Sequence, residues 1–375
     1  MTFNVTHQDG GTKARIGILS TKKGKVETPF FMPVATRGVT KGISSEELHE
    51  IGAKAIISNS LIIYLRNGSK IAESFGGLGK FMNYNGINFT DSGGFQMYSP
   101  NIYIKSNDEG VFFRNPLNGD KMFITPEKDM EIQLEINSDV AMCLDSMPLY
   151  KHSKDEIEEA VRKTSLWARR CKIHHDNLQE SKNKNERQLL FGIIQGGIYN
   201  DLREKSAKEL INMNFDGYSI GGLGLGETHE EEFEVVDFLK KIIPENKPIY
   251  MMGIGDPVEI LQAISKGIDI FDSRMPTQNA RRGLLFTSNG KLRITNKQYE
   301  FDKTPIDENC NCKVCKNHSK AFIRYQLIND EPIGKSLATY HNLYFMQDLL
   351  RKAKEKIKEN KFDDFLREFQ ERYKE

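Results

Sequence analysis

The chain has 375 residues, of which 38% are hydrophobic, so it is long enough for one large domain with an appendage. Its 53 lysines and arginines balance 52 aspartates and glutamates, and the net charge of +1 neither indicates nor excludes a nucleic-acid partner, since local patches govern such binding. No N-terminal apolar run resembles a signal peptide and no stretch approaches the ~20 apolar residues of a membrane span, so we expect a cytoplasmic protein.

Short apolar runs alternate with longer amphipathic stretches through most of the chain. The runs predicted as strands are Phe30–Val34, Lys54–Ser58, Asn88–Asp91, Asp139–Leu144, Leu189–Ile194, Tyr218–Ile220, Pro248–Met251 and Ile268–Phe271. The stretches predicted as helices are Asp155–Leu178, Asp201–Met213, Glu230–Lys241 and Pro257–Lys266. This alternation indicates βαβ units and a parallel sheet, which predicts an α/β fold. The size matches a (β/α)8 TIM barrel of roughly 250 residues, and an open doubly wound sheet is the alternative.

One stretch inside this alternation, Tyr84–Pro126, is too long for a simple connection. It carries Asn, Gly, Asp and Pro, together with short apolar runs such as Gly110–Phe113 and Lys121–Ile124. We predict that it contains an insertion in the barrel, built as a small group of hairpins.

The pattern changes again beyond the last predicted strand. Ser288-Asn289-Gly290 is a hairpin signal between two short runs, Arg282–Thr287 and Lys291–Thr295. The helical stretches that follow are Ala321–Ile328 and Ser336–Glu359, and the tail Lys352–Glu375 has the Lys and Glu spacing of a solvated helix face. We therefore divide the chain into a barrel, residues 1–300, and a helical subdomain, residues 301–375.

Polar residues stand where several predicted strands end, and in a barrel these ends line the active site. Asp91, Asp145 and Asp272 lie at or just after strands three, four and eight, and Gln195 follows strand five. An aspartate in such a place often caps the next helix, but three carboxylates and an amide beside glycine-rich turns indicate a ligand site. Two carboxylates across a cleft suit chemistry at a glycosidic carbon, so these residues alone favour a barrel glycoside hydrolase.

Three of the five cysteines lie within six residues, in the pattern Cys310-x-Cys312-x2-Cys315. This spacing is typical of zinc. For the fourth ligand, proximity favours His318, whereas His341 would connect a helix to the cysteine loop, and the spacing leaves both open. Three cysteines and one histidine would complete a tetrahedral site with no open position, which is typical of structural zinc.

A set of longer motifs also occurs in a fixed order along the chain. They are Phe30-Phe31-Met32-Pro33-Val34, Thr90-Asp91-Ser92-Gly93-Gly94-Phe95-Gln96, Gly192-Ile193-Ile194-Gln195-Gly196-Gly197, Ile220-Gly221-Gly222-Leu223, Phe271-Asp272-Ser273-Arg274-Met275-Pro276-Thr277, the cysteine cluster and His341-Asn342-Leu343. This set closely resembles the tRNA-guanine transglycosylases, or queuine tRNA-ribosyltransferases. The resemblance implies a TIM barrel with a zinc subdomain, one structural zinc ion per chain and a homodimer. It also implies exchange of guanine at wobble position 34 of tRNAs with GUN anticodons for a 7-deazaguanine, either preQ1 or queuine.

The resemblance further implies roles for individual residues. Asp272 would be the nucleophile that attacks C1′ of the ribose, and Asp91 the general acid–base that assists guanine departure. Positions matched to the flipped base are Asp145, Gln195, Gly222, Leu223, Phe95, Met252 and Gly253, with Phe95 and Met252 against its faces. Arg281 and Arg282 would contact the RNA, and His341 would be the fourth zinc ligand.

Some residues differ from the family pattern. Ser146 and Met147 follow Asp145 where bacterial members commonly have Glu-Cys, which leaves the identity of the incoming base open. Gln278 stands in place of an arginine associated with the anticodon, and Asp256 in place of a lysine, so we expect rearranged polynucleotide contacts. The alternatives are a relative that acts on another RNA position or on DNA, and a non-catalytic partner subunit of the same fold.

Overall fold

The computed structural model describes residues 2–147 and 152–373. Its strands are β1 (Phe3–Gln8), β2 (Arg15–Ser20), β3 (Lys25–Thr28), β4 (Phe30–Pro33), β5 (Ala55–Asn59), β6 (Ile87–Asp91), β7 (Tyr103–Asn107), β8 (Gly110–Arg114), β9 (Lys121–Ile124), β10 (Val140–Met142), β11 (Leu189–Ile194), β12 (Gly217–Ile220), β13 (Ile249–Met251), β14 (Ile270–Ser273), β15 (Leu284–Thr287) and β16 (Gly290–Arg293). Its α-helices are α1 (Ser45–Glu50), α2 (Ser60–Tyr64), α3 (Gly68–Ser74), α4 (Leu78–Phe81), α5 (Gly94–Met97), α6 (Pro126–Ile136), α7 (Lys154–Leu178), α8 (Asn200–Asn212), α9 (His229–Lys240), α10 (Pro257–Ser265), α11 (Met275–Arg281), α12 (Lys313–Asn317), α13 (Lys320–Ile328), α14 (Pro332–Lys358) and α15 (Phe362–Arg372).

Eight parallel strands form one sheet in the order β4-β14-β13-β12-β11-β10-β6-β5. The two end strands also meet, through a parallel bridge between Val34 and Ile57. Beside it, the Ala35 N–H donates a hydrogen bond of 2.7 Å to the Ile57 carbonyl. The sheet therefore closes, which confirms the (β/α)8 barrel and rules out the open doubly wound sheet. Each predicted strand is a barrel strand, displaced at its ends by a few residues at most.

Three of the four predicted barrel helices begin where a polar side chain satisfies free N–H groups of the first turn. Ser153 and Glu156 form a capping box before α7, and Thr228 and Glu231 form another before α9. Asp256 caps α10, whose first residue is a proline. Within the described residues, no helix has both the length and the apolar character needed to cross a membrane.

An antiparallel sheet, β1-β2-β3, precedes the barrel and is absent from the sequence prediction. Its residues Phe3, Leu19 and Val26 join the buried cluster formed by side chains inside the barrel. Arg15 of β2 donates two hydrogen bonds, of 3.0 and 2.6 Å, to the buried carboxylate of Asp269. Asp269 precedes β14, so this sheet covers the N-terminal end of the barrel, opposite the end where the candidate site lies.

The insertion is a three-stranded antiparallel sheet, β7-β8-β9. It confirms the predicted hairpins but is shorter than Tyr84–Pro126, because the first part of that range forms barrel strand β6. The indole N–H of Trp167 in α7 donates to the Asp108 carbonyl at 2.9 Å, which attaches the insertion to the barrel helices.

The C-terminal region packs against the barrel through α14, which contacts α11 and β4. The amide of Asn342 in α14 accepts from the Phe286 N–H at 3.0 Å and donates to the carbonyls of Pro276 and Leu284, at 3.0 and 3.1 Å. These bonds join the confirmed β15–β16 hairpin to the end of the barrel. The boundary at residue 300 stays a prediction.

The tail differs from its prediction as a solvated helix. The chain turns at Asn360, which has a left-handed φ of 55°, and α15 then buries Phe362, Leu366 and Phe369. The polar and charged positions of α15 face solvent, because its apolar face packs on α10 and α14. The last two residues of the predicted tail lie outside the described residues.

Candidate active site

Asp91 is the last residue of β6, at the C-terminal end of the barrel. Its Oδ2 accepts a hydrogen bond of 3.0 Å from the Asn59 side-chain amide. Burial raises the pKa of Asp91 to about 7, and the charges of Asp145 and Asp272 add to this shift, while hydrogen bonds from Gly93 and Asn59 oppose it. A carboxyl group with this pKa can both donate and accept a proton near neutral pH.

Asp272 lies in β14, and Asp91 lies in β6. Two strands, β4 and β5, stand between them in the closed barrel, so the two aspartates lie across the barrel end from one another. The Asp272 Oδ1 accepts hydrogen bonds from the Tyr250 hydroxyl at 2.5 Å and from the Gly253 N–H at 2.9 Å. Burial raises the pKa of Asp272, and the two hydrogen bonds lower it because they stabilise the charged form. The two donors also hold the carboxylate in one orientation, as a nucleophile requires.

A third carboxylate, Asp145, forms a pair with Gln195. The Gln195 Nε2 donates to Asp145 at 2.6 Å, and burial raises the pKa of Asp145 to about 6. The Gln195 Oε1 is buried and has no hydrogen-bond partner among the described residues. Glycines leave room for both side chains, since a Cβ at Gly222 would lie 2.5 Å from Gln195 Oε1 and one at Gly94 would lie 2.6 Å from Asp145 Oδ1. Carboxylate and amide together suit the hydrogen-bonding edge of a planar heterocycle.

The other predicted base-binding residues lie at the same end of the barrel with different exposures. Phe95 is exposed in α5, and Met252 and Gly253 directly follow β13, half-buried and exposed respectively. Leu223 is buried after β12. The structure thus brings every predicted base-binding position to one rim of strand ends, whereas the role of each stays a prediction.

A separate group of metal-ligating side chains lies in the C-terminal region. The sulfurs of Cys310, Cys312 and Cys315 are 3.8, 3.6 and 3.4 Å from the His341 Nδ1. All four ligand atoms lie within 4.8 Å of one another, so this group could hold a metal ion. Three thiols and an imidazole favour a soft or borderline divalent ion in tetrahedral geometry.

The surroundings of the two candidate histidines differ, and they favour His341 as the fourth ligand. The His341 Nε2 is 2.7 Å from the Phe286 carbonyl. Because a carbonyl can only accept, Nε2 carries the proton and the lone pair of Nδ1 faces the sulfurs, as in metal-bound histidines. His318 instead stacks on Phe322, with ring centroids 4.9 Å apart, and is outside the group.

Comparison with known proteins identifies the family. Residues 9–375 match the family model described as queuine tRNA-ribosyltransferase. The chain belongs to this family. A relative named queuine tRNA-ribosyltransferase from Halothermothrix orenii is 44% identical over 373 residues, covering 100% of this chain and 98% of the relative. A relative of the same name from Desulforamulus reducens is 45% identical, and the match covers 98% of this chain and 98% of the relative. Another from Bacillus licheniformis is also 45% identical, and the match covers 96% of this chain and 93% of the relative.

The resemblance marked Ser146 and Met147, which follow Asp145, as departures from the expected family pattern. The Ser146 hydroxyl is 2.8 Å from the Tyr98 hydroxyl, and the Ser146 N–H donates to Thr164 Oγ1 at 3.0 Å. Met147 is buried, and the four residues that follow lie outside the described residues. A small hydroxyl therefore stands directly after Asp145, one of the predicted base-binding residues.

The predicted RNA-binding residues lie at the end of α11. Burial and the neighbouring charge of Arg282 lower the pKa of Arg281. With its side-chain oxygen turned towards Arg282, Gln278 accepts two hydrogen bonds of 3.1 Å from the guanidinium group. Asp256 is 2.9 Å from Lys291 of β16. A lysine from the hairpin therefore pairs with Asp256, one of the positions that the sequence marked as a departure from the expected family pattern.

Two residues that contact the catalytic candidates, Asn59 and Tyr250, are absent from the sequence prediction of the site. Asn59 directly follows the predicted strand Lys54–Ser58, so a survey of every strand end would have included it. Tyr250 lies inside the predicted strand Pro248–Met251, and its hydroxyl reaches Asp272 from within the barrel. No local pattern distinguishes such a tyrosine from an ordinary core residue.

Proposed function

We propose that this protein is a tRNA-guanine transglycosylase, a pentosyltransferase that exchanges guanine 34 of tRNAs with GUN anticodons for a 7-deazaguanine, preQ1 or queuine. The observation that carries the proposal is the convergence of Asp91, Asp145 and Asp272 on one barrel rim in a member of this family. Family membership replaces the glycoside hydrolase hypothesis. The presence of both Asp91 and Asp272 favours an active enzyme over a non-catalytic partner subunit.

In the proposed reaction, Asp272 attacks C1′ while the protonated Asp91 donates its proton to the departing guanine. A covalent ribosyl-Asp272 intermediate forms, which divides one difficult displacement into two. The incoming base then gives a proton to Asp91 and attacks C1′ from the opposite face, so two inversions retain the configuration. The hydrogen bonds from Tyr250 and Gly253 favour the charged form of Asp272, and the pKa of Asp91 near 7 suits its two roles.

The base would be read at its edge and held at its faces. Asp145 can accept hydrogen bonds from the N1–H and amino group of a guanine-like ring, and Gln195 can bind next to them. Phe95 and Met252 would stack on a base that is flipped out of the anticodon loop. Arg281 and Arg282 would contact phosphates, which is the usual role of arginines near RNA. The expected cytoplasmic location stays a prediction.

The direct test of the proposal is incorporation of labelled guanine into total tRNA by the purified protein. Incorporation that is confined to tRNAs with GUN anticodons would support it, whereas labelling of DNA or of another RNA position would favour the alternative substrates. Competition between guanine, preQ1 and queuine in the same assay identifies the incoming base, which Ser146 and Met147 leave open. No incorporation by a zinc-loaded, folded protein would contradict the proposal.

We expect Asn59→Ser to shift the alkaline limb of the pH profile to higher pH. The Asn59 amide donates to the Asp91 carboxylate and lowers its pKa, so its loss raises that pKa above about 7. Asp91 must be protonated to assist guanine departure, and the rate falls as pH rises through its pKa. Serine retains the cap that Asn59 provides for α2. The measurement is kcat/KM for tRNA between about pH 6 and 9, and a shift to lower pH would refute the assignment of Asp91.

We propose that the metal group binds one zinc ion through Cys310, Cys312, Cys315 and His341. With four protein ligands the ion has no open position for substrate or water, so its contribution is to hold the C-terminal helices and hairpin together. The ligands come from the cysteine loop and from α14, and α14 itself packs on the barrel.

We also propose a homodimer that uses the helices next to the zinc site. Tyr325, Ile328 and Ile333, on α13 and at the start of α14, are 62%, 49% and 50% exposed, an apolar surface that suits association. We expect the double variant Tyr325→Lys, Ile328→Lys to be monomeric by light scattering when the wild-type protein is dimeric. Ile173→Lys, an exposed apolar position on α7, is the matched control and should remain dimeric. A monomeric wild-type protein at micromolar concentration would contradict this proposal.

A further inference from the structure

Arg203 of α8 is completely buried behind the rim that carries Gln195. Its guanidinium donates to three backbone carbonyls, from Nε to Gly197 at 2.7 Å and from Nη1 to Ile194 and Gly221 at 2.8 and 2.9 Å. Ile194 is the last residue of β11, whereas Gly197 and Gly221 lie in the turns after β11 and β12. A Cβ at Gly196 would lie 2.7 Å from the Arg203 backbone nitrogen, so the first turn has room for this arrangement only with glycine. One side chain thus holds two adjacent turns of the candidate site from behind.

Two of the carbonyls bound by Arg203 belong to peptide groups whose nitrogens are those of Gln195 and Gly222, both predicted base-binding residues. The Gln195 N–H donates to the Ser206 Oγ at 3.1 Å, so the Gly222 N–H, which shares its peptide group with the Gly221 carbonyl, is the candidate donor to a ligand. A cationic donor on the oxygen withdraws electron density from the peptide group, which makes its N–H a stronger donor. The Ile194 carbonyl also accepts from the Gly221 N–H at 3.0 Å, so the two turns are linked directly as well.

The environment of Arg203 differs from that of a buried arginine kept for stability. Arg15, at the other end of the barrel, pairs with Asp269, and the interaction raises its pKa. Burial instead lowers the pKa of Arg203 to about 9, with partial compensation from the charge of Glu227. Its Nη2 has no partner among the described residues. A charge buried mainly against neutral carbonyls costs stability, and such costs are characteristic of functional sites.

We propose that Arg203 is a positioning residue for the base pocket, which orients the Gly222 N–H towards a carbonyl acceptor on the edge of a purine-type base and strengthens it as a donor. The proposal rests on the proposed base-exchange function. Arg203 itself is buried and does not touch the base. Its effect should therefore be confined to bases that carry the acceptor oxygen, and it should be small for the tRNA.

The test compares Arg203→Met and Arg203→Lys with the wild-type enzyme and with Lys208→Met, a matched change on the exposed face of the same helix. For Arg203→Met we expect the KM for guanine to rise about tenfold, the effect of losing a well-oriented hydrogen bond. The KM for tRNA and kcat at saturating guanine should stay within about twofold. Arg203→Lys keeps the charge but loses the planar guanidinium group. Its KM for guanine should therefore lie between those of the wild type and Arg203→Met.

A second base separates positioning from a general structural effect. 2-Aminopurine lacks the carbonyl oxygen of guanine, so its inhibition constant should change less than twofold in Arg203→Met if the proposal holds. Equal losses of affinity for both bases, or KM values for guanine and tRNA that rise together, would overturn it. If 2-aminopurine does not bind, the comparison of the two KM values decides. If Arg203→Met does not fold, the same comparisons on Arg203→Lys decide.

The two proposals can fail separately. If the wild-type protein incorporates guanine and Arg203→Met shows no selective loss, the base-exchange function stands and the role of Arg203 is refuted. If the wild-type protein incorporates no guanine, the function fails first. Equilibrium dialysis with guanine then measures whether wild type and Arg203→Lys still differ in base binding, and equal binding would refute the positioning role on its own.

Discussion

Asp272→Ala is expected to abolish incorporation of labelled guanine into tRNA, with a rate loss of about 10³-fold or more. The substitution removes the oxygen that would bond to C1′, and no hydrogen-bonding environment can replace a missing nucleophile. Tyr250 and Gly253 would lose the carboxylate that they bind, but neither can form the ribosyl intermediate. The measurement is the initial rate of guanine incorporation at saturating tRNA.

Two further measurements separate loss of the nucleophile from loss of the fold. A covalent complex of enzyme and tRNA should survive denaturing electrophoresis with the wild-type protein and disappear with Asp272→Ala. Asp237→Ala, which removes a surface carboxylate paired with Lys13 and Lys266, should keep the full rate. Guanine incorporation that persists in Asp272→Ala would refute the assignment of the nucleophile.

His341→Ala should reduce bound zinc from about one ion per chain to a small fraction of that amount, and destabilise the protein by roughly 5 kcal/mol or more. The imidazole is one of four proposed ligands, and it is also the only one that comes from α14. Its loss therefore weakens the metal and detaches the long helix from the cysteine loop. Mass spectrometry of the bound metal and thermal unfolding measure the two effects.

His318→Ala is the matched control, because this histidine lies close to Cys315 in sequence but stacks on Phe322 in the structure. It should keep zinc and lose little stability. Zinc that is lost in His318→Ala and retained in His341→Ala would overturn the ligand assignment. An ion held by four protein ligands has no open coordination position and takes no direct part in catalysis. The residual activity of each variant should therefore be proportional to its folded fraction.

The barrel could be predicted from the sequence because its signals are local. Each parallel strand is buried on both faces and therefore appears as a short apolar run, such as Leu189–Ile194. Asp91 and Asp272 could be identified for a similar reason, since the C-terminal ends of all parallel strands meet at one rim. The cysteine cluster could also be identified, because its three cysteines lie within six residues of the chain.

The contacts around the site could not be predicted in this way. The hydrogen bonds from Asn59 to Asp91 and from Tyr250 to Asp272 join residues 32 and 22 positions apart, on strands whose register sequence patterns do not specify. The ion pair of Asp256 with Lys291 likewise connects a helix cap to a distant hairpin. From the sequence, Asp256 in place of the expected lysine indicated only the loss of a positive charge.

By itself the sequence determined the barrel strands, the polar residues at their ends, the cysteine cluster and, through ordered motifs, the family. Only the tertiary structure decided how the barrel closes, which histidine nitrogen faces the three thiols, and that Arg203 lies behind the base-binding rim. The physical reason is that apolar periodicity and short-range spacing report how each segment is buried, whereas closure, tautomer and buried charge depend on which distant segments meet. The carbonyl of Phe286, 55 residues before His341, is the clearest case, because it orients the metal-binding nitrogen.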